Sequence, residues 1–144
     1  MSTINLQDNL NWILIRSSMS VKQRLMKISE EYSLTLMQAL TLCLIEPDQA
    51  MPMSGISELL SCDASNVTGI VERLSVGSYI VRRESPADRR VKTIQLTDAG
   101  LALRNKLLPR ITETSSPGLA ALSPEETASL KRLLLKTLSN IPAR

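Results

Sequence analysis

Apolar residues from Leu6 to Tyr32 fall at Leu6, Leu10, Ile13, Leu14, Val21, Leu25, Ile28 and Tyr32. That is helical spacing, and it predicts one long amphipathic helix with Ser17-Ser18 as the place where it would ease. Thr35-Leu36-Met37-Gln38 is a capping box, in which the threonine hydroxyl and the glutamine side chain satisfy free amides. The helix it opens should run from Leu36 to about Glu46 and stop before Pro47. Ser54 is placed to cap a short helix carrying Ile56, Leu59 and Leu60. After a tight turn at Ser61-Cys62-Asp63, Asp63 is placed to cap a second helix. There Val67, Ile70, Val71 and Leu74 form the apolar stripe, and Ser65, Asn66, Thr68, Gly69, Glu72 and Arg73 form the other face. Two short helices joined this closely match a helix-turn-helix.

The pattern then changes period. Tyr79 to Glu84 and Val91 to Leu96 read as two strands, with Lys92, Ile94 and Leu96 on one face and Val91, Thr93 and Gln95 on the other. Ser85-Pro86-Ala87-Asp88 has turn chemistry, so the pair should close as a hairpin with Arg89 and Arg90 at its tip. Thr97 offers a hydroxyl to cap a helix through Leu101, Leu103, Leu107 and Leu108, with Pro109 as a site for a kink. Ser115-Ser116-Pro117-Gly118 should break it. Ser123-Pro124-Glu125-Glu126 is a second capping box, with proline at the first helical position. The helix it opens carries Leu130, Leu133, Leu134, Leu135 and Leu138, more leucine than one core-facing stripe needs. The order of elements predicts a mainly α (α+β) fold: a winged helix-turn-helix with a two-stranded β-hairpin wing, flanked by N- and C-terminal helices.

With 144 residues, the chain is long enough for one domain with a real core, and a core of Leu, Ile, Val and Met without Phe favours helices. The net charge of +3 is mild, but its placement is not. Arg82, Arg83, Arg89, Arg90 and Lys92 stand against only Glu84 and Asp88, so the hairpin holds the equivalent of the whole surplus. Such a run is either a solvated face or an electrostatic footprint for phosphate. Enzyme chemistry finds little footing. There is no histidine, the two cysteines lack metal-ligand spacing, and no glycine-rich phosphate loop occurs. The expectation is therefore no catalytic residue, no metal and no cofactor. No apolar stretch approaches the length of a membrane span, and Met1 to Asn9 lacks signal-peptide layout, which makes a cytoplasmic location without membrane contact the default.

Asp88-x-Arg90 followed after five residues by Leu96-Thr97-x-x-Gly100 resembles the wing of the MarR family of bacterial transcription regulators. Asp63 to Thr68 and Val71-Glu72-Arg73-Leu74 resemble its recognition helix, and Leu107 to Ile111 and Leu122 to Glu126 are also similar. The resemblance covers nearly the whole chain. It implies a single domain over 1–144, in which about 1–34 and 101–144 are dimerisation helices and about 35–100 is the DNA-binding region. It also implies a homodimer on a pseudo-palindromic double-stranded operator, acting as a repressor released by a small aromatic or phenolic ligand. Ser65, Asn66, Thr68, Gly69 and Arg73 would lie at the major groove, where short polar side chains reach base edges. Arg90 would enter the minor groove with Asp88 as its tether, while Arg89 and Lys92 complete the wing contacts. Arg82, Arg83 and Ser54, at the amide end of its helix, would hold phosphates.

Three departures stand out. Ser78 occupies the place of the glycine that usually closes the recognition helix. Gly69 replaces a larger outer-face residue, and Ser116-Pro117-Gly118 interrupts a helix that many relatives extend. Cys43 and Cys62 read as packed thiols. Two other readings stay open: a winged helix serving protein–protein contact without DNA, and a thiol switch acting through Cys62.

Overall fold

A computed structural model describes residues 5–141. The first helix starts later than the apolar spacing predicts. Leu6–Asp8 makes a single 3-10 turn, and α1 spans Leu10–Glu30. The reason is Asn9, whose extended backbone ends the turn and whose side chain accepts the amides of Asn11 and Trp12. α1 then runs unbroken through Ser17 and Ser18. α2 (Leu36–Leu44) opens on the expected box: the Thr35 amide donates to Gln38 Oε1 at 2.9 Å, and the Gln38 amide to Thr35 Oγ1 at 3.3 Å.

Two corrections follow downstream. β1 (Met51–Pro52) pairs antiparallel with β3 (Lys92–Leu96), whose other neighbour is β2 (Ile80–Glu84), so the sheet has three strands in the order β1-β3-β2, not two. The cap of α3 (Met53–Leu60) is Pro52, which offers no side-chain bond, and Ser54 lies inside the first turn. Proline's fixed φ presets the entry, which removes the need for a serine cap. Asp63 does occupy the cap position of α4 (Ala64–Val76), but its side chain accepts no amide.

β2 (Ile80–Glu84) and β3 (Lys92–Leu96) pair from Ile80↔Leu96 to Glu84↔Lys92. The expected alternation in β3 is not kept, because Thr93 and Ile94 are both buried. β3 is the middle strand, and both α3 and α5 pack on it. α5 (Asp98–Glu113) is capped by Thr97, whose hydroxyl accepts the Gly100 amide at 3.0 Å, and it contains Pro109 without ending there. The break falls at Thr114–Ser116, while Pro117 and Gly118 open a short α6 (Pro117–Ala120) capped by Ser116. α7 (Pro124–Leu138) begins on the predicted box, with Ser123 and Glu126 satisfying each other's amides.

The core joins Leu34, Ala39, Leu42, Ile45, Ile56, Val67, Val71, Leu74, Ile80, Ile94 and Leu107, which belong mainly to α2–α5 and the sheet. The terminal helices contribute little to it. α1 buries only Ile28 and Ser29, and α7 buries nothing. Leu10, Ile13, Leu14, Ile15, Met19, Leu133, Leu134, Leu135 and Leu138 all stand exposed. Apolar residues left exposed in such number on two helices are the mark of an interaction face.

Candidate nucleic-acid interface

α4 is held by one stripe and shows the rest of its surface. Val67, Val71 and Leu74 are buried, while Ser65, Asn66, Thr68, Gly69 and Arg73 are all exposed. A Cβ on Gly69 would meet nothing within 4 Å, so packing does not require glycine there. Its effect is to bare the backbone of the outward face. Thr68 Oγ1 donates to the Ala64 carbonyl at 2.9 Å, which leaves its lone pairs and methyl outward. Arg73 sits on the flank of the helix, lining a groove of about 500 Å³ with Met26 and Glu30 of α1 and Gln38 of α2.

Behind α4, the wing is fixed at its root by a left-handed residue and a close approach. Ser78 has φ 60°, so the position that calls for glycine carries a β-carbon in a strained conformation. The Ser78 carbonyl accepts the Thr97 hydroxyl at 2.6 Å, and the Tyr79 carbonyl accepts the Thr97 amide at 3.0 Å. Gly100 is required here, because a Cβ would fall on the Tyr79 carbonyl oxygen. The Leu96-Thr97-x-x-Gly100 pattern is thus the joint that presses α5 against the start of β2.

At the tip, Val91 donates its amide to the Asp88 carbonyl at 2.9 Å, and Ser85 donates to the Val91 carbonyl at 2.9 Å. Asp88 Oδ1 accepts from the Arg90 amide at 3.0 Å and from Arg90 Nε at 3.1 Å, while Oδ2 accepts Nη2 at 3.2 Å. The Arg90 side chain is 91% exposed, so this fork is held from one side and open on the other. The Arg90 side chain, then its backbone amide, hold the Asp88 carboxyl below its ordinary value. Lys92 Nζ pairs with Glu84 Oε1 at 2.8 Å across the strands, which offsets part of its charge. Among the described residues Arg82, Arg83 and Arg89 have no ion-pair partner, and all three are exposed. Arg82 also borders a shallow groove with Glu72, Ser75 and Val76 of α4, which places a free cation between helix and wing. Ser54 is exposed in the first turn of α3.

The sequence reading missed Arg104. It is buried in α5, and its Nη2 donates to Glu46 Oε2 at 3.3 Å. The signal was present: Arg104 falls four residues after Gly100 and three before Leu107, both buried. Cys43 is half-buried, and burial raises its thiol pKa more than the Arg104 charge lowers it, which is unlike a reactive thiolate. Cys62 is half-buried and packs on the core. Among the described residues no group of three His, Cys, Asp or Glu is arranged to hold a metal ion, and no helix is long and apolar enough to cross a membrane.

Comparison with known proteins agrees with this geometry. The sequence model of the MarR family matches residues 34–92, from the start of the helix-turn-helix region to the second wing strand. The HTH-type transcriptional regulator PecS of Dickeya dadantii is 30% identical over 124 residues, covering 84% of this chain and 75% of that protein. The HTH-type transcriptional repressor NicR of Pseudomonas putida is 27% identical over 107 residues, covering 74% of this chain and 68% of NicR. The fold is matched by the solved structure of Bordetella bronchiseptica BpsR, described for regulation of its DNA binding by 6-hydroxynicotinic acid. Its TM-score is 0.85 at 23% identity, over 98% of this chain and 100% of that one. A helix-turn-helix with an outward polar face, a wing carrying a tethered arginine and these likenesses lead to one conclusion: the chain belongs to the MarR family of transcription regulators.

Proposed function

We propose that two copies of this chain bind a pseudo-palindromic operator in double-stranded DNA and repress transcription in the cytoplasm until a small aromatic or phenolic acid releases them. The protein carries out no reaction of its own. The observation that carries this reading is the Asp88–Arg90 fork, an exposed guanidinium held by two hydrogen bonds, with a third from the Arg90 backbone amide, at the tip of a hairpin. A cation fixed in advance loses little side-chain freedom when it enters the negative potential of a narrow minor groove. Ser65, Asn66, Thr68 and Gly69 meet base edges in the major groove, and Arg73 contacts DNA from the flank of α4. Arg89 and Lys92 extend the wing contact. Arg82, Arg83 and Ser54 take phosphates, which set register without reading sequence.

Residues 35–100 form the reading head, and 1–34 with 101–144 form the dimer arm; of these, 1–4 and 142–144 lie outside the described residues. The exposed leucines of α7 and the first half of α1 support that arm. The name of NicR supports repression, and the BpsR description supports a small aromatic acid as effector. A gel shift with the duplex upstream of the protein's own coding region tests the proposal. A retarded band that resists nonspecific competitor and is lost with scrambled half-sites is expected; equal binding to both duplexes would refute sequence reading.

A further inference from the structure

Arg104 is the one buried cation among the described residues, and it lies where the reading head meets the arm. Its side chain is 9% exposed, whereas its partner Glu46 is 62% exposed. Their single hydrogen bond is 3.3 Å long, and the buried Arg104 Nε has no partner. Cys43, in the last turn of α2, feels the same charge. Such a pair is a poor source of stability. Desolvating a guanidinium is costly, and a partner that stays largely in water returns little of that cost. What the pair does supply is direction: a bond from α5 to the segment just after α2, reached from the buried side by Arg104 and from the solvent side by Glu46. α5 is fixed at its start to Tyr79 through Thr97 and Gly100, and it is strapped further along to α1 by Arg110 and Glu31, at 2.9 and 3.1 Å. Arg104–Glu46 is the one ion pair among the described residues that ties α5 to the segment following α2.

We infer that Arg104, through Glu46, is a positioning residue that fixes α5 against the segment following α2 and thereby sets which operator spacing the dimer accepts. The inference rests on the dimeric DNA-binding reading above. In a two-fold dimer each arm carries a head, so slack at the joint in one protomer is doubled across the pair of heads. Moving one half-site by one base pair displaces it by about 3.4 Å and rotates it by about 34°. A rigid joint rejects that shift and a loosened one absorbs it.

The test measures operator affinity at fixed salt for half-sites about 10 base pairs apart and for the same half-sites moved closer or further by one base pair. The proteins compared are the parent, Arg104→Met, Glu46→Ala and Arg110→Met, with dimerisation checked by sedimentation and folding by circular dichroism. The parent should favour its best spacing by about tenfold or more, a ratio typical of one lost specific contact. Arg104→Met should fold and dimerise but bind all three spacings within about twofold, the flattening that a slack joint predicts. Glu46→Ala, altered from the solvent side, should flatten the profile in the same way and gives the reading if Arg104→Met does not fold. Arg110→Met removes an exposed pair and should keep the parental profile. Parental spacing preference in both Arg104→Met and Glu46→Ala, or a flattened profile in Arg110→Met as well, would overturn the assignment of the joint. A parent that binds none of the duplexes would instead remove the DNA reading on which it rests.

Discussion

Arg90 and Ser78 are two residues whose substitutions should act in opposite ways. Arg90 is almost fully exposed and bonds only within its own turn, so Arg90→Ala should change stability by no more than about 0.5 kcal/mol. Operator affinity should fall by about 1–3 kcal/mol for each protomer, measured by titration of labelled duplex. The tether needs Asp88 ionised. Its folded pKa is lowered, so the tether is complete above the ordinary carboxylate range and is lost only as pH falls through the depressed value. Wing order is therefore insensitive to pH near neutrality. Ser78, by contrast, holds a left-handed conformation with a β-carbon it does not use, since its recorded bonds come from its backbone. Ser78→Gly should raise stability by up to about 1 kcal/mol in denaturant unfolding and leave operator affinity unchanged. The spacing of Asp88 and Arg90 was legible in the sequence because both partners lie within one turn. The fork geometry was not, since it depends on how the turn closes against Val91.

Elements whose boundaries are local were read well, and those set by packing were not. Thr35–Gln38, Thr97 and Ser123–Glu126 each satisfy amides within three residues, and all three cap where expected. β1 is two residues long, too short for any periodic signal, and exists only because β3 lies beside it. Arg104 was missed for a related reason: a charged residue becomes a core residue only when the segment following α2 brings Glu46 to it. Gly100 lies between these cases, visible as a motif but explained only by the approach of α5 to Tyr79. Gly100→Ala should destabilise the fold by about 1–3 kcal/mol or more, since the obstructing atom is backbone and cannot rotate away. Equilibrium unfolding would show this as a lower midpoint with an unchanged slope.

A core built mainly from α2–α5 and the sheet is joined to α1 and α7, whose apolar residues stay largely exposed. In the proposed dimer those faces are buried against a second copy. Leu134→Glu in α7 should therefore shift sedimentation towards monomer, and operator binding should weaken with it, because a lone head makes half the contacts. In the proposed complex the basic hairpin and α4 lie on DNA, and the salt dependence of operator binding is the decisive measurement. Each neutralised phosphate contributes about −0.9 to the slope of log affinity against log salt, so 6–10 contacts across the dimer predict a loss of about 10³–10⁵ between 50 and 200 mM salt. Fluorescence anisotropy with the operator duplex should show that steep line, made shallower by Arg82→Ala or Arg83→Ala. A flat salt response from folded, dimeric protein would contradict the account.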